Sequence, residues 1–190
     1  MKNLLIAALT LVSVSAFAQT YKVDTAKTKL VWVGKKVTGQ HTGAVSAKSG
    51  NLVFKGEELV GGEVIVDMNT ITCTDITDAK TNGDFLGHIK SPDFYDVAKH
   101  PEAKLVIKSA KKSGKNYAVV ADLTIKGKTA PVNFSLEVVK SDKTVSGKTK
   151  LVFDRTVWDI RYGSGKFFKG LGDKVIHDEI EVSVDVTAAQ

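Results

Sequence analysis

From residue 117 onward, apolar and polar side chains follow one another one for one over three long segments. Tyr117, Val119, Ala121, Leu123 and Ile125 alternate with Ala118, Val120, Asp122, Thr124 and Lys126. Val132, Phe134, Leu136 and Val138 alternate with Asn133, Ser135, Glu137 and Val139. Near the end, Ile180, Val182, Val184 and Val186 alternate with Glu179, Glu181, Ser183 and Asp185. A strand turns successive side chains to opposite faces, so each segment reads as a strand with one dry face. Antiparallel sheets are built this way, with core on one side and water on the other.

Further strands are expected at 29–37, 50–55, 62–71, 103–111 and 144–153. Turn signals fall at Gly34, Gly39, Gly43, Lys48-Ser49-Gly50, Gly61-Gly62, Ser113-Gly114, Lys126-Gly127-Lys128 and Ser141-Asp142. Many strands joined by short turns make an all-β barrel or sandwich. One stretch, residues 84–97, departs from the pattern and reads as a short helical excursion. Asp84 is the expected cap of its first part, and Ser91-Pro92 the expected start of a second, with serine as N-cap and proline at the first helical position. Phe85, Leu86, Ile89, Phe94 and Tyr95 give it an apolar side to lay over the mouth of a barrel.

The N-terminus reads as an export signal. Lys2 precedes an uncharged apolar stretch, and Ala16-Phe17-Ala18 supplies a small-x-small cleavage site before Gln19. The stretch falls short of the roughly 20 residues that span a bilayer. The expectation is a cleaved signal over 1–18, a single domain over 19–190 and a periplasmic destination. Cys73 has no second cysteine to pair with, so no intramolecular disulfide forms, and it reads as a small strand residue. The net charge of +6 is carried almost wholly by scattered lysines. A nucleic-acid reader clusters its charge and favours arginine. The scattered pattern suits a solvated surface and transient contact with anionic lipid headgroups at a membrane surface.

Familiar chemical motifs fail residue by residue. His41, His88, His100 and His177 stand at no metal-ligand spacing, and no paired-cysteine motif exists, so no metal site is expected. Asp75 and Asp78 lack the alternating oxygens and terminal glutamate of a calcium loop. Gly163-Ser164-Gly165-Lys166 resembles the end of a phosphate-binding loop, but Ile160 stands where that loop needs glycine and Phe167 where it needs Ser or Thr. No serine sits in a nucleophile elbow. His88 reads either as a structural histidine or as a hydrogen-bonding partner for a ligand head group. Arg155 reads chiefly as an ion-pair partner of Asp154.

Taken in order, particular residues carry a family likeness. Tyr21-Lys22-Val23-Asp24, Leu30-Val31-Trp32-Val33, Gly43 and Gly50-Asn51-Leu52-Val53-Phe54 open the series. His88-Ile89-Lys90-Ser91-Pro92-Asp93-Phe94-Tyr95-Asp96, followed by His100-Pro101, is its most specific stretch. Leu123-Thr124-Ile125-Lys126-Gly127 with Pro131-Val132, then Phe153-Asp154-Arg155 and Gly172-Asp173 with Val175, complete it. The chain resembles the YceI-like polyisoprenoid-binding family. Lys35-Lys36 replaces an Arg-His pair common among relatives, and Asn82-Gly83 stands where the family has an arginine. The resemblance implies an extended eight-stranded antiparallel β-barrel, lipocalin-like, with an isoprenoid or quinone-type lipid in its tunnel and no other cofactor.

Eight strands enclose enough space to be filled by side chains or to hold one small ligand. The candidate lining is the apolar parity: Leu30, Trp32, Leu52, Phe54, Val64, Val66, Leu105, Ile107, Tyr117, Val119, Phe134, Leu136, Leu151 and Phe153, with Leu86 and Phe94 at the mouth. Ordinary core packing uses the same parity. A non-catalytic carrier of a long apolar lipid is the expected function. Two alternatives stay open: a lipid-acting isomerase or hydrolase, and a small outer-membrane barrel. The latter turns its apolar face outward and carries aromatic girdles, whereas only 7% of these residues are aromatic.

Overall fold

The computed structural model describes residues 17–190. The expected signal, 1–18, lies outside the described residues save for Phe17 and Ala18. Nine strands form one antiparallel sheet: β1 (Ala18–Val23), β2 (Lys29–Lys36), β3 (Gly39–Lys55), β4 (Glu58–Asp67), β5 (Glu102–Ser113), β6 (Asn116–Ile125), β7 (Lys128–Lys140), β8 (Thr144–Asp154) and β9 (Ile176–Ala189). The sheet closes through β3, which pairs with β2 along its first residues and with β4 from Ser46 to Lys55. Where β2 stops, β1 takes its place between the end of β3 and the end of β9. The two share one position, so the ring has eight positions, the barrel that the resemblance implies, where the alternation by itself leaves barrel or sandwich open.

Several expected turns are strand interior. Gly43 and Gly50 lie within β3, where Ala47 and Ser49 flank a bulge, and Gly61-Gly62 lie within β4. Gly43, Gly50 and Gly62 serve close approach rather than reversal. A Cβ on Gly43 would stand 1.8 Å from the Thr72 carbonyl oxygen, and one on Gly50 would stand 2.5 Å from that of Glu63. The reversal between β3 and β4 falls instead at Gly56, whose φ of 61° suits glycine. β4 stops at Asp67, short of Ile71, because the Asp67 carboxylate accepts from the Asn69 N–H and caps a 3₁₀ turn over Met68–Thr70.

The helical excursion begins earlier than its apolar residues suggest. Helix α1 spans Ala79–Lys90, and its N-cap is Asp78, whose carboxylate accepts from the Thr81 N–H at 2.8 Å. Asp84 lies inside the helix and pairs with Lys80 one turn back. Ser91 is the C-cap, and Ser91-Pro92 opens no second helix; residues 92–99 form turns. Asn82 ties α1 to the preceding segment by donating to the Cys73 and Ile76 carbonyls.

The two ends of the barrel differ because their connections differ. Short hairpin turns join β3–β4, β5–β6 and β7–β8 at one end. At the other, residues 68–101, including α1, and residues 155–175 form long connections around the mouth. Gly43→Ala should destabilise the fold by about 1–3 kcal/mol, because the Thr72 backbone must move. Gly61→Ala, which meets nothing within 4 Å, should stay within about 0.5 kcal/mol. Denaturant midpoints of the two variants check both expectations.

Candidate functional site

The interior is packed at the hairpin end and hollow toward the mouth. At the packed end Tyr21, Phe54, Leu59, Val119 and Val145 are at most 2% exposed. The Tyr21 and Phe54 rings meet edge to face at 5.7 Å, and the Tyr117 hydroxyl donates to the Glu57 carbonyl at 2.9 Å. Nearer the mouth, inward-facing Trp32, Val66, Leu105, Phe134, Val182 and Val184 are only partly buried. They face a cavity of about 170 Å³, far above the roughly 10–15 Å³ that admits one water. It is a chamber, not a packing flaw.

Of the expected lining, Leu30, Trp32, Leu52, Val64, Val66, Leu105, Ile107, Phe134, Leu136, Leu151 and Phe153 face this cavity. Phe54, Tyr117 and Val119 do not; they share the inward parity but are packed in the core rather than facing the hollow. Phe94 faces a second chamber at the mouth, whereas Leu86 faces neither. Successive helical residues point about 100° apart, so Phe85 and Ile89 of α1 turn inward and Leu86 turns aside. Val182, Val184 and Val186, inward by their parity on β9, also face the cavity. So do Val45, Met68 and Ile71, which lie where the expected turn and strand boundaries differ from the observed ones.

The second chamber, of about 250 Å³, adjoins the first and shares Trp32, Ile71, Tyr95 and Ile180 with it as walls. Trp32 is held by its indole N–H donating to the Thr72 carbonyl at 3.1 Å, an approach that Gly43 allows. Phe85 stacks on Trp32 at 6.4 Å and leans on His41 at 4.7 Å. The Tyr95 hydroxyl has no hydrogen-bond partner among the described residues, and burial raises its pKa to about 12 against a smaller pull from Arg155. Polar groups gather at the outer chamber: Lys35, Lys36, His41, His88 and Tyr162 also line it.

Most of these polar groups are already engaged. His88 meets Asp93 at 3.2 Å and stands edge-on to Phe94 and Tyr162. Lys35 pairs with Glu181 at 2.5 Å. Arg155 is 1% exposed, and its guanidinium donates to the carbonyls of Ile160, Ile176 and His177 at 2.8–3.2 Å. Its carboxylate neighbour is Asp178 at 3.6 Å, and Asp154 pairs with Lys166 instead. Arg155 therefore knits the strand β9 to the turn after β8. Burial lowers its pKa, with Asp178 the leading opposing charge.

His41, Cys73 and Asp75 converge with all their ligand atoms within 4.8 Å, although 34 residues separate the first from the last. The Asp75 carboxylate accepts from Thr42 N–H at 2.7 Å, meets His41 Nδ1 at 2.8 Å and accepts from the Cys73 thiol at 3.3 Å. Burial pushes the Asp75 pKa up, but these hydrogen bonds outweigh it and hold the group at about 2. Burial, then the hydrogen bond to Asp75, raises the Cys73 thiol. A soft divalent ion would have to displace a proton held in place by both, so the trio reads as a clip between β3 and the segment leading to α1.

Purified protein should therefore carry no stoichiometric zinc by elemental analysis; one zinc per chain, lost in Cys73→Ser, would overturn the clip reading. Arg155→Met should cost about 3–5 kcal/mol in denaturant unfolding, because it orphans three carbonyls and leaves Asp178 with Lys166 as its one cationic neighbour among the described residues.

A YceI-like domain model matches residues 21–188. Protein YceI of Escherichia coli O17:K52:H18 is 29% identical over 141 residues, 70% of each chain. A UPF0312 protein of Photorhabdus laumondii is 31% identical over 98 residues, 52% of this chain, and the match spans about half of that relative's length (50%). Among solved structures, Burkholderia cenocepacia BcnA superposes with a TM-score of 0.69 at 23% identity, covering 88% of this chain and 99% of that one. A polyisoprenoid binding domain from Saccharophagus degradans superposes at 0.65 with 15% identity, covering 89% and 97%. With a closed eight-position barrel and a family match running nearly end to end, the chain belongs to the YceI-like family.

Proposed function

We propose that this protein is a periplasmic carrier that holds one long apolar lipid, of isoprenoid or quinone type, in the barrel, and that it catalyses no reaction. The observation that carries the reading is the inner chamber: a hollow walled almost wholly by aliphatic and aromatic side chains, beside a vestibule with polar groups at its edge. A hydrocarbon tail that buries about 400 Å² there gains about 10 kcal/mol gross. Association and ordering cost roughly 4 kcal/mol or more, which leaves micromolar or tighter binding. The Saccharophagus neighbour, described as a polyisoprenoid binding domain, supports the same ligand class.

The disposition of polar groups favours a carrier over an enzyme. Catalysis needs titratable groups converging on one reacting point. Here Arg155, His88 and Lys35 are each committed to protein partners. The inward parity is apolar and the outward parity is rich in Lys, Asp, Glu and Ser, the reverse of a barrel built to face lipid.

Leu136, on the cavity wall, and Glu137, on the wet face, provide the test. Leu136→Trp fills the slot while staying apolar; Glu137→Gln leaves it alone. Protein recovered from its native cell envelope is extracted with organic solvent, and lipid per chain is read by mass spectrometry beside the thermal midpoint. Leu136→Trp should lose the lipid yet keep a midpoint near that of lipid-free wild type, since losing a ligand lowers apparent stability by itself. Glu137→Gln should change neither reading. Unchanged lipid in Leu136→Trp, or a drop of about 1–3 kcal/mol against the lipid-free reference as in a filled core, would refute the proposed lining, and wild type recovered without lipid would refute the carrier.

A further inference from the structure

Three of the large exposed side chains of the described residues are aromatic rings in one connection: Tyr162, Phe167 and Phe168, 45–48% exposed. That connection, residues 155–175, joins β8 to β9 at the mouth, and Tyr162 also walls the outer chamber. The exposure is imposed by a braced turn. Ser164 is fully buried, and its carbonyl accepts from the N–H groups of both Phe167 and Phe168 at 3.1 and 3.0 Å. The Ser164 N–H donates to the Arg161 carbonyl, and the Ile176 N–H donates to that of Gly163. Gly163, Gly170 and Gly172 take positive φ, which lets the chain fold tightly and leaves the rings outside.

Charge around the rings is one-sided. Residues 161–174 carry Arg161, Lys166, Lys169 and Lys174 against the single carboxylate of Asp173. Lys166 and Arg161 are engaged with carboxylates, whereas Lys169 and Lys174 make no ion pair among the described residues. The Arg161 guanidinium lies 4.6 Å over the Phe167 ring. Lys36 and the 58%-exposed Val37 adjoin the same rim, since the Val37 N–H donates to the Val175 carbonyl. Exposed rings ringed by unpaired lysines match a membrane interface, where aromatics sit at headgroup level and cations meet anionic lipid.

We propose that residues 161–174 form a docking loop that seats the barrel mouth on an anionic phospholipid surface, so that the hollow opens toward the bilayer. The proposal extends the carrier reading, yet binding to the surface can be measured separately from lipid content. Sedimentation with vesicles of phosphatidylcholine alone, and of phosphatidylcholine with phosphatidylglycerol, tests it on the mature protein. Wild type should bind the mixed vesicles, and the binding should fall with added salt. The double variant Phe167→Ser/Phe168→Ser should bind about tenfold more weakly or worse, from the lost apolar contact. Val139→Ser, which removes a 64%-exposed valine at the packed end, should bind as wild type does.

The double variant should keep its extracted lipid and lose little of its thermal midpoint, because both rings are about half exposed and lie outside the two chambers. Absence of vesicle binding by wild type, undiminished binding by the double variant, or equal binding to neutral vesicles would overturn the docking loop. So would a protein partner that covers Phe167 and Phe168 while wild type ignores vesicles. Vesicle binding by a wild type that holds no lipid would sink the carrier and leave the docking loop standing.

Discussion

Closure of the sheet through β3 is the constraint on which everything else depends. A barrel has no free edge only if one strand can pair with both neighbours along its length, and β3 does so with β2, β4 and β1 in turn. That requires seventeen residues in one strand, with a bulge at Ala47/Ser49 and glycines where other backbones approach. Once the ring is closed, side-chain parity has only one outcome: alternate residues of every strand face one enclosed space. The apolar alternation at 117–138 and 180–186 then guarantees that this space is dry.

The same parity explains what could be read from the chain without coordinates. Strand existence and facing follow from a period of two, which is local, so the inward set of β6, β7 and β9 was legible in full. The depth at which an inward residue sits is not local. Phe54, Tyr117 and Val119 share the parity of Phe134 and Leu136, and Tyr117 and Val119 even pair with Leu136 and Phe134, yet only Phe134 and Leu136 face the hollow, and no pattern in their own strands records that. Gly43 looked like a turn because its partner, the Thr72 carbonyl, is distant in sequence. Asp84 looked like a cap because an apolar run follows it, whereas Asp78 reaches the Thr81 N–H and starts the helix earlier.

Functional residues drawn from far-apart segments were the least legible. His41 and Asp75 meet only because Thr72 and Thr74 donate to the carbonyls of Ala44 and Thr42, laying the segment before α1 along β3. Arg155 appeared to belong to its neighbour Asp154, since adjacency is what a sequence displays. Burial chose otherwise: a fully desolvated guanidinium needs several acceptors at once, and the carbonyls of Ile160, Ile176 and His177 supply them. Asp154, nearer the surface, takes Lys166.

A hollow barrel has to be stable without the packing that a filled one enjoys, and this molecule meets that demand at its two ends. Tyr21, Phe54 and Tyr117 interlock under the hairpins at one end, with Lys140 reaching Glu57 above them. At the other, Trp158 packs edge-on to Phe153 and donates to the Leu123 carbonyl, while Arg155 ties β9 to the same turn. Interior side chains between these braces are freed from supplying cohesion, so Trp32, Leu105 and Phe134 can face open space instead of one another. Bracing the ends also separates two tasks that would otherwise compete. Apart from those of Phe153 and Arg155, the bracing side chains lie outside the chamber walls, which can be bulky, apolar and loosely packed, as a flexible chain with no fixed shape requires.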